Sequence, residues 1–388
     1  MRRWSLGLAL LLACWATCAN AKDNPPRWQI NLKEKYGFES FDRPLVSTWT
    51  RQQDVVFLSP ERVAVYQVSR ARATAKLATR DASGGGGNYV LAVSILDARD
   101  GREIKQLRFP TNPEYSKIMA THDGKFIVRT GDVLYLYSAD FERLASKNLP
   151  MKRKVIEEVW QIGVSPSGEE IALVHQQVFH RNQLTAESVV DSADADVEVL
   201  NADTLQITNT FSLLWFLHAW TAGENFLVSS APQPSPNSGT FGLLNFEGKW
   251  SPLKPDWYSE KNPCSYQMEA LDHQRFVAYG CGNLSVFPQS GEKVLSLKTG
   301  SKELVGAVAG AGDRLAVLFE RRVMMTATSG NVPIFVNQPS HIDIFELKTK
   351  NREMSATIHS DKIYYAVSVQ GSLAVVDGAL LEVFPPEH

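Results

Sequence analysis

Cysteine is scarce: the chain has only 4 in 388 residues, which excludes a disulfide-rich scaffold. Charge of one sign is lacking as well. Lys plus Arg number 40 against 42 Asp plus Glu, and no block of basic residues stands out. An electrostatic footprint for nucleic acid is therefore missing, as is charge-driven attachment to an anionic membrane surface. No apolar run reaches the ~20 residues of a membrane-spanning helix. Helical periodicity is nearly absent. Catalytic grammar is sparse too, with no Gly-x-Ser-x-Gly elbow and no Gly-Lys-Ser/Thr after Gly84–Gly87 that would make that run a phosphate-binding loop. The nine tryptophans show no period of the kind that docks pyrroloquinoline quinone. No cofactor and no metal centre is expected.

The first residues read as an export leader. Met1-Arg2-Arg3 is a positive start, Leu6–Ala13 an apolar centre, and Ala19-Asn20-Ala21 a small-x-small cleavage site, giving a signal peptide over 1–21. A periplasmic or secreted protein is expected. An alternative stays open, because Leu11-Leu12-Ala13-Cys14 resembles a lipobox and would anchor the chain through a lipid on Cys14. The mature part keeps Cys264 and Cys281, flanking one hairpin. Pairing Ala270 with Arg275 and counting outward sets the two cysteines opposite each other, with Cβ atoms about 4.5–5.5 Å apart, so a disulfide is expected. Two neighbouring free thiols are the alternative.

Short apolar runs separated by tight turns fill the rest. Val159–Val164, the turn Ser165-Pro166-Ser167-Gly168-Glu169, Ile171–Val174, Val197–Leu200 and Leu205–Phe211 make a four-stranded meander, and the same order recurs along the chain. Second-strand anchors Val63, Phe126, Ile171, Phe226, Phe276, Leu315 and Leu373 return every ~40–60 residues, the blade period of a propeller. The reading is an all-β, seven-bladed β-propeller of four-stranded antiparallel blades, with six or eight blades as alternatives. Residues 22–44 read as a polar N-terminal arm and 45–388 as one domain. The last meander offers only three strands, ending in Leu380–Phe384, and the spare run Leu45–Trp49 is expected to complete it and close the ring.

Val164–Ala172 resembles the S-P-D-G-x-x-I/L-A segment of bacterial exported WD40-like, YVTN-type propeller repeats, and Val199–Thr204 and Ile95–Gly101 resemble the strand-turn segment ending such repeats. The resemblance implies a propeller and export. That family's functions are too varied to carry over.

Four long insertions, Arg70–Asn88, Val178–Ala195, Ser230–Gly239 and Val323–Ser340, fall between second and third strands. In an up-and-down blade these connections emerge on one face, together with the links between blades. Long connections gathered on one face of a rigid scaffold usually bind something. Candidate contacts there are Arg70, Arg72, His175, His180, Arg181, Arg321 and Arg322; His218 and Glu269 lie on first strands and are candidates for the central channel. His175 and His180, five apart at a strand end, are spaced badly for a metal pair. The expected function is a non-enzymatic, monomeric scaffold binding a protein, peptide or glycan. The alternative is a propeller enzyme, lactonase-like or glycan-cleaving, working at the channel mouth.

Overall fold

The computed structural model describes residues 24–38, 53–70, 89–111, 116–149, 157–177 (166 apart), 195–213, 220–230 (223–224 apart), 240–299, 303–326 and 333–386 (361 apart), with short gaps at 246–248, 260, 262–263, 265, 273 and 290–291. These residues form seven four-stranded antiparallel sheets, numbered I to VII from sheet I, which opens at Gln53. Sheet I contains Gln53–Ser59, Arg62–Arg70, Tyr89–Asp97 and Glu103–Thr111. Sheet II opens with Ser116–Ala120, III with Glu157–Val164, IV with Trp220–Ala222, V with Tyr266–Ala270, VI with Glu303–Ala311 and VII with Ile363–Val367. Within sheets I to VI the strands follow sequence order. The architecture is a β-propeller of four-stranded antiparallel blades.

The cause is visible in the side chains. Sheets I, II, V, VI and VII each bury apolar side chains against a neighbour on both faces, being too thin to stand alone. One apolar cluster joins Tyr66, Val68 and Leu91 of sheet I to Phe126 and Val128 of sheet II. Further clusters join II to III, IV to V, V to VI, VI to VII, and VII back to I. The second-strand anchors Val63, Phe126, Ile171, Phe276, Leu315 and Leu373 are all 0% exposed; each such side chain contributes about 1.5–3 kcal/mol on burial.

Closure differs from the expectation. The position beside Leu380–Phe384 is held by Trp28–Asn31, in antiparallel register Trp28↔Val383 to Asn31↔Leu380. Leu45–Trp49 is thus corrected as the closing strand; it lies outside the described residues. The arm read over 22–44 therefore contains an outer strand and then a short helix, Leu32–Tyr36, capped by the Asn31 side chain accepting from Lys33 and Glu34 N–H and ended at Gly37. Alternation explains the miss. Trp28 and Ile30 face the core cluster shared by sheets VII and I, but Gln29 and Asn31 between them made the segment read as polar. Trp28 also reaches across to sheet I. Its indole N–H donates to the Ala98 carbonyl at 3.0 Å, and its ring lies so close over Gly101 that an added Cβ would sit 2.9 Å from it.

The turn between first and second strands lies on the same face as the Asp97–Gly101 turn, and that face is stitched by charge. The Arg62 guanidinium donates to the Ala139 carbonyl of sheet II and lies 5.2 Å from the Phe141 ring centroid. Lys125 meets Asp203 of sheet III at 2.6 Å, and Arg275 meets Asp313 of sheet VI at 2.8 Å. Lys348 and then Arg275 hold the Asp313 carboxyl below the usual carboxylate range.

Cys264 and Cys281 are bridged, with Cα atoms 5.9 Å apart. The register differs from the sequence reading: Ala270 pairs with Phe276, not Arg275. Asp272 accepts from the N–H groups of Gln274 and Arg275 at 2.8 and 2.7 Å, and the loop so capped takes one residue more. Cys281 therefore lies beyond the ladder, in the two-residue turn between Gly280 and Asn283. It has φ 55° and Gly282 φ 73°, the signs a twisted hairpin turn demands.

Two outcomes are expected. Trp28→Ala should lower unfolding stability by about 2 kcal/mol or more, since it removes a large ring and leaves its partners unfilled, read as a lower urea midpoint. Reducing Cys264–Cys281 should cost about 3 kcal/mol, the loop-closure value for a loop of this size, read as a lower thermal midpoint in reductant.

Candidate functional site

In each sheet the first strand starts on the face that carries the second-to-third connections and ends on the stitched face. The starts are polar: Asp54, Lys117, Gln267, Glu303 and Tyr364 stand at or next to the first residue of their strands, with Glu269 two residues deeper than Gln267. The ends are apolar or small, with Leu58, Ala120, Val164, Ala270, Ala311 and Val367. Polar side chains at the axis therefore gather at one mouth, on the side of the long connections. Beyond these first positions the inner strands are mostly apolar. The signal that finds the polar starts is a polar residue recurring at the first two positions of successive inner strands.

The mouth is electrostatically strained. Asp54 pairs in register with Tyr66; its carboxylate accepts the Val55 N–H at 2.8 Å and the Tyr66 hydroxyl at 3.4 Å. Burial pushes this carboxyl up, against the smaller opposing pull of the Val55 hydrogen bond and Lys117. Lys117 of sheet II is exposed in the channel yet hemmed in by protein, and that desolvation lowers its ammonium, with Asp54 opposing. Tyr364 of sheet VII feels both burial and the Asp54 charge, which raise its phenol. On the other side of the axis, Glu269 accepts the Tyr279 hydroxyl at 2.9 Å, while burial pushes its carboxyl up. Charged groups displaced from their ordinary values in this way are a common mark of working sites.

A second polar group lies in sheet VI. His341 stacks on Phe319 with centroids 4.8 Å apart; its ring nitrogens lie 3.8 Å from Glu303 and 3.8 Å from Asp343. Arg352 meets Asp343 at 3.2 Å. Among the described residues, no group of three His, Cys, Asp or Glu is arranged to hold a metal ion.

The face of long connections carries one feature of regular structure. The second and third strands of sheet VI, Arg314–Thr326 and Pro333–Glu346, run 13 and 14 residues. The expected loop Val323–Ser340 is corrected accordingly: the ladder continues from Glu320↔Pro339 to Thr326↔Pro333. Val, Met, Ile and Phe in both arms favour a strand, and Glu320-Arg321-Arg322 had made the run look finished. The first strand of sheet VI pairs only as far as Arg321 and the fourth only as far as His341. Among the described residues, 322–326 and 333–339 thus extend as a two-stranded ribbon past the registered ends of both outer strands, with the Ile358 N–H still donating to the Ser340 carbonyl at 3.0 Å at its base. Arg321 at that base and Arg322 on the ribbon are exposed, and Met324 is 65% exposed.

The other expected contacts scatter. Glu269 stands on the first strand of sheet V, Tyr266–Ala270. His175 points into the contact between sheets II and III, 3.7 Å from Glu198, which Lys147 meets at 3.2 Å. Arg70 ends the second strand of sheet I. Arg72, His180, Arg181 and His218 lie outside the described residues, as do most residues of the other three insertions.

No family model matches the sequence, and no curated protein matches it. Solved structures do. Acylaminoacyl peptidase of Pyrococcus horikoshii aligns with TM-score 0.55 at 10% identity, over 86% of this chain and 53% of that one. The propeller domain of the Trilobed protease from Pyrococcus furiosus gives 0.52 at 9%, over 86% and 94%. Oligogalacturonate lyase from Vibrio parahaemolyticus gives 0.51 at 8%, over 89% and 94%. The likeness is to β-propellers. At such identity it shows the fold alone, and the chain spans about half the length of the peptidase.

Glu269 yields a pH prediction. Its folded-state value lies above the unfolded one, so the native state binds the extra proton, and stability falls as pH rises from the unfolded value (about 4.3) through the folded value. Glu269→Gln keeps an acceptor for Tyr279 and removes the titration. Its stability relative to the parent should rise between pH 4 and pH 7, measured as urea midpoints at both; a difference that stays constant with pH would reject the assignment.

Proposed function

We propose that this chain is an exported propeller that binds a protein, peptide or glycan through the face carrying its long connections. We take the seven sheets as the seven blades of one closed ring, of the bacterial WD40-like, YVTN-type kind that Val164–Ala172 resembles. The sheet VI ribbon is the observation that carries this reading. The ribbon runs past the registered ends of its outer strands among the described residues, and ladder edges of this kind invite association. The exposed Met324 supplies apolar contact, and the exposed Arg321 and Arg322 supply charge beside it. Export is supported by the leader 1–21 and by the Cys264–Cys281 bridge, which suits an oxidising compartment. No helix among the described residues is long and apolar enough to cross a membrane. Anchoring through a lipid on Cys14 is compatible with the same placement.

A second reading, a propeller enzyme of lactonase-like or glycan-cleaving type, is favoured by Asp54, Lys117 and Glu269. A carboxyl pushed up by burial and an amine pushed down by it are shifted in the directions that acid–base chemistry uses.

The test is to shorten the ribbon by joining Arg322 to Asn337 through Asn-Gly, a sequence suited to a tight hairpin. The parent should bind members of peptide or glycan arrays, and the shortened form should lose at least tenfold in affinity with its thermal midpoint unchanged. Equal binding by a folded shortened form would reject the ribbon as the contact. Hydrolysis of array members, lost in Glu269→Gln, would favour the enzyme instead.

A further inference from the structure

Two opposite charges stand on neighbouring inner strands without meeting. Asp54 opens sheet I and Lys117 opens sheet II, and these first strands touch along their length. Each feels the other's charge, yet among the described residues no ion pair joins them. Arg129, the register partner of Lys117, repels it from behind. The Asp54 carboxylate is held in place by Val55 and Tyr66, and Tyr364 of sheet VII stands on its other flank. Three successive sheets thus present a phenol, a carboxylate and an ammonium along one arc of the mouth.

We propose that this arc binds a small zwitterion, an α-amino acid whose ammonium meets Asp54 and whose carboxylate meets Lys117. Two opposite charges on touching strands, with no ion pair to either among the described residues, are each answered by a counter-charge. A simple anion answers Lys117 and leaves Asp54 wanting; a simple cation does the reverse. A ligand carrying both charges a short distance apart answers both at once. The Tyr66 and Val55 hydrogen bonds hold Asp54 in advance, so little ordering remains to be done on binding. The site is independent of the sheet VI ribbon, which springs from a different sheet.

Titration calorimetry on the mature chain tests this with the twenty common amino acids, and with glycinamide and acetate as single-charge controls. At least one amino acid should bind, with its amide and the matching simple carboxylate at least tenfold weaker. Lys117→Met, which removes a side chain holding no hydrogen bond among the described residues, should weaken binding at least tenfold while leaving the thermal midpoint in place. Asp54→Asn, which keeps the acceptor for Tyr66, should do the same. Shortening the ribbon should leave amino-acid binding unchanged, so this result and the array result fail separately. No binding by any of the twenty, equal binding by the single-charge controls, or undiminished binding by Lys117→Met would each overturn the proposal.

Discussion

Four residue pairs, Trp28↔Val383 to Asn31↔Leu380, hold the two ends of the chain in one sheet. Every other sheet is continuous in sequence and would form its ladder locally. Only sheet VII needs residues from both termini, and only its completion denies sheets VII and I an exposed face. A ring of thin sheets has no core of its own; each sheet's apolar faces are buried by its neighbours, so one open joint exposes two faces at once. Trp28 reinforces the joint by lying over Gly101 and donating to Ala98 in the next sheet. Closure is therefore tied on both sides by one aromatic residue.

The two faces of the disc are held differently. On one, a basic residue at the start of a second strand reaches the neighbouring sheet again and again: Arg62 to Ala139, Lys125 to Asp203, Arg275 to Asp313. Hydrogen bonds such as His122 N–H to the Gly168 carbonyl, at 3.2 Å, add to it. Individually such contacts contribute little, but they occupy the turns and leave that face committed to structure. On the other face, polar groups stand at the channel mouth with few mutual contacts. One of the connections on that face, in sheet VI, is a ribbon of regular strand. A scaffold built this way has spent its surface charge on one side and kept it available on the other.

The disulfide belongs to the open face. It ties the approach to the first strand of sheet V to the turn between its second and third strands, where several other sheets carry long insertions. Sheet V thus keeps a short, fixed connection beside the mouth. Glu269, Tyr279 and Gln267 follow directly from strands that the bridge secures, which supports a rigid wall on that side of the channel.

Much of this was legible in the residues themselves. Turn pairs such as Ser-Gly and Asp-Gly, apolar runs of strand length and buried anchors at a regular interval are local properties, and local hydrogen bonding obeys them; the meanders and the cysteine bridge followed. Which segment closes the ring was not legible, because Trp28–Asn31 and Leu45–Trp49 are both short, and pairing with Leu380–Val383 is what marks the first. The cysteine register was missed by one residue, since the capping of a loop by Asp272 depends on side-chain geometry. The ribbon was hidden because strand length there is set by pairing across the hairpin, not by composition. The mouth was hidden because Asp54, Lys117 and Tyr364 lie far apart in the chain and become neighbours only when sheets VII, I and II stand side by side. Sequence by itself determined the repeat, through short-range pattern and turn chemistry. The tertiary structure decided closure and the gathering of charge at the axis, because both depend on contacts between residues hundreds of positions apart.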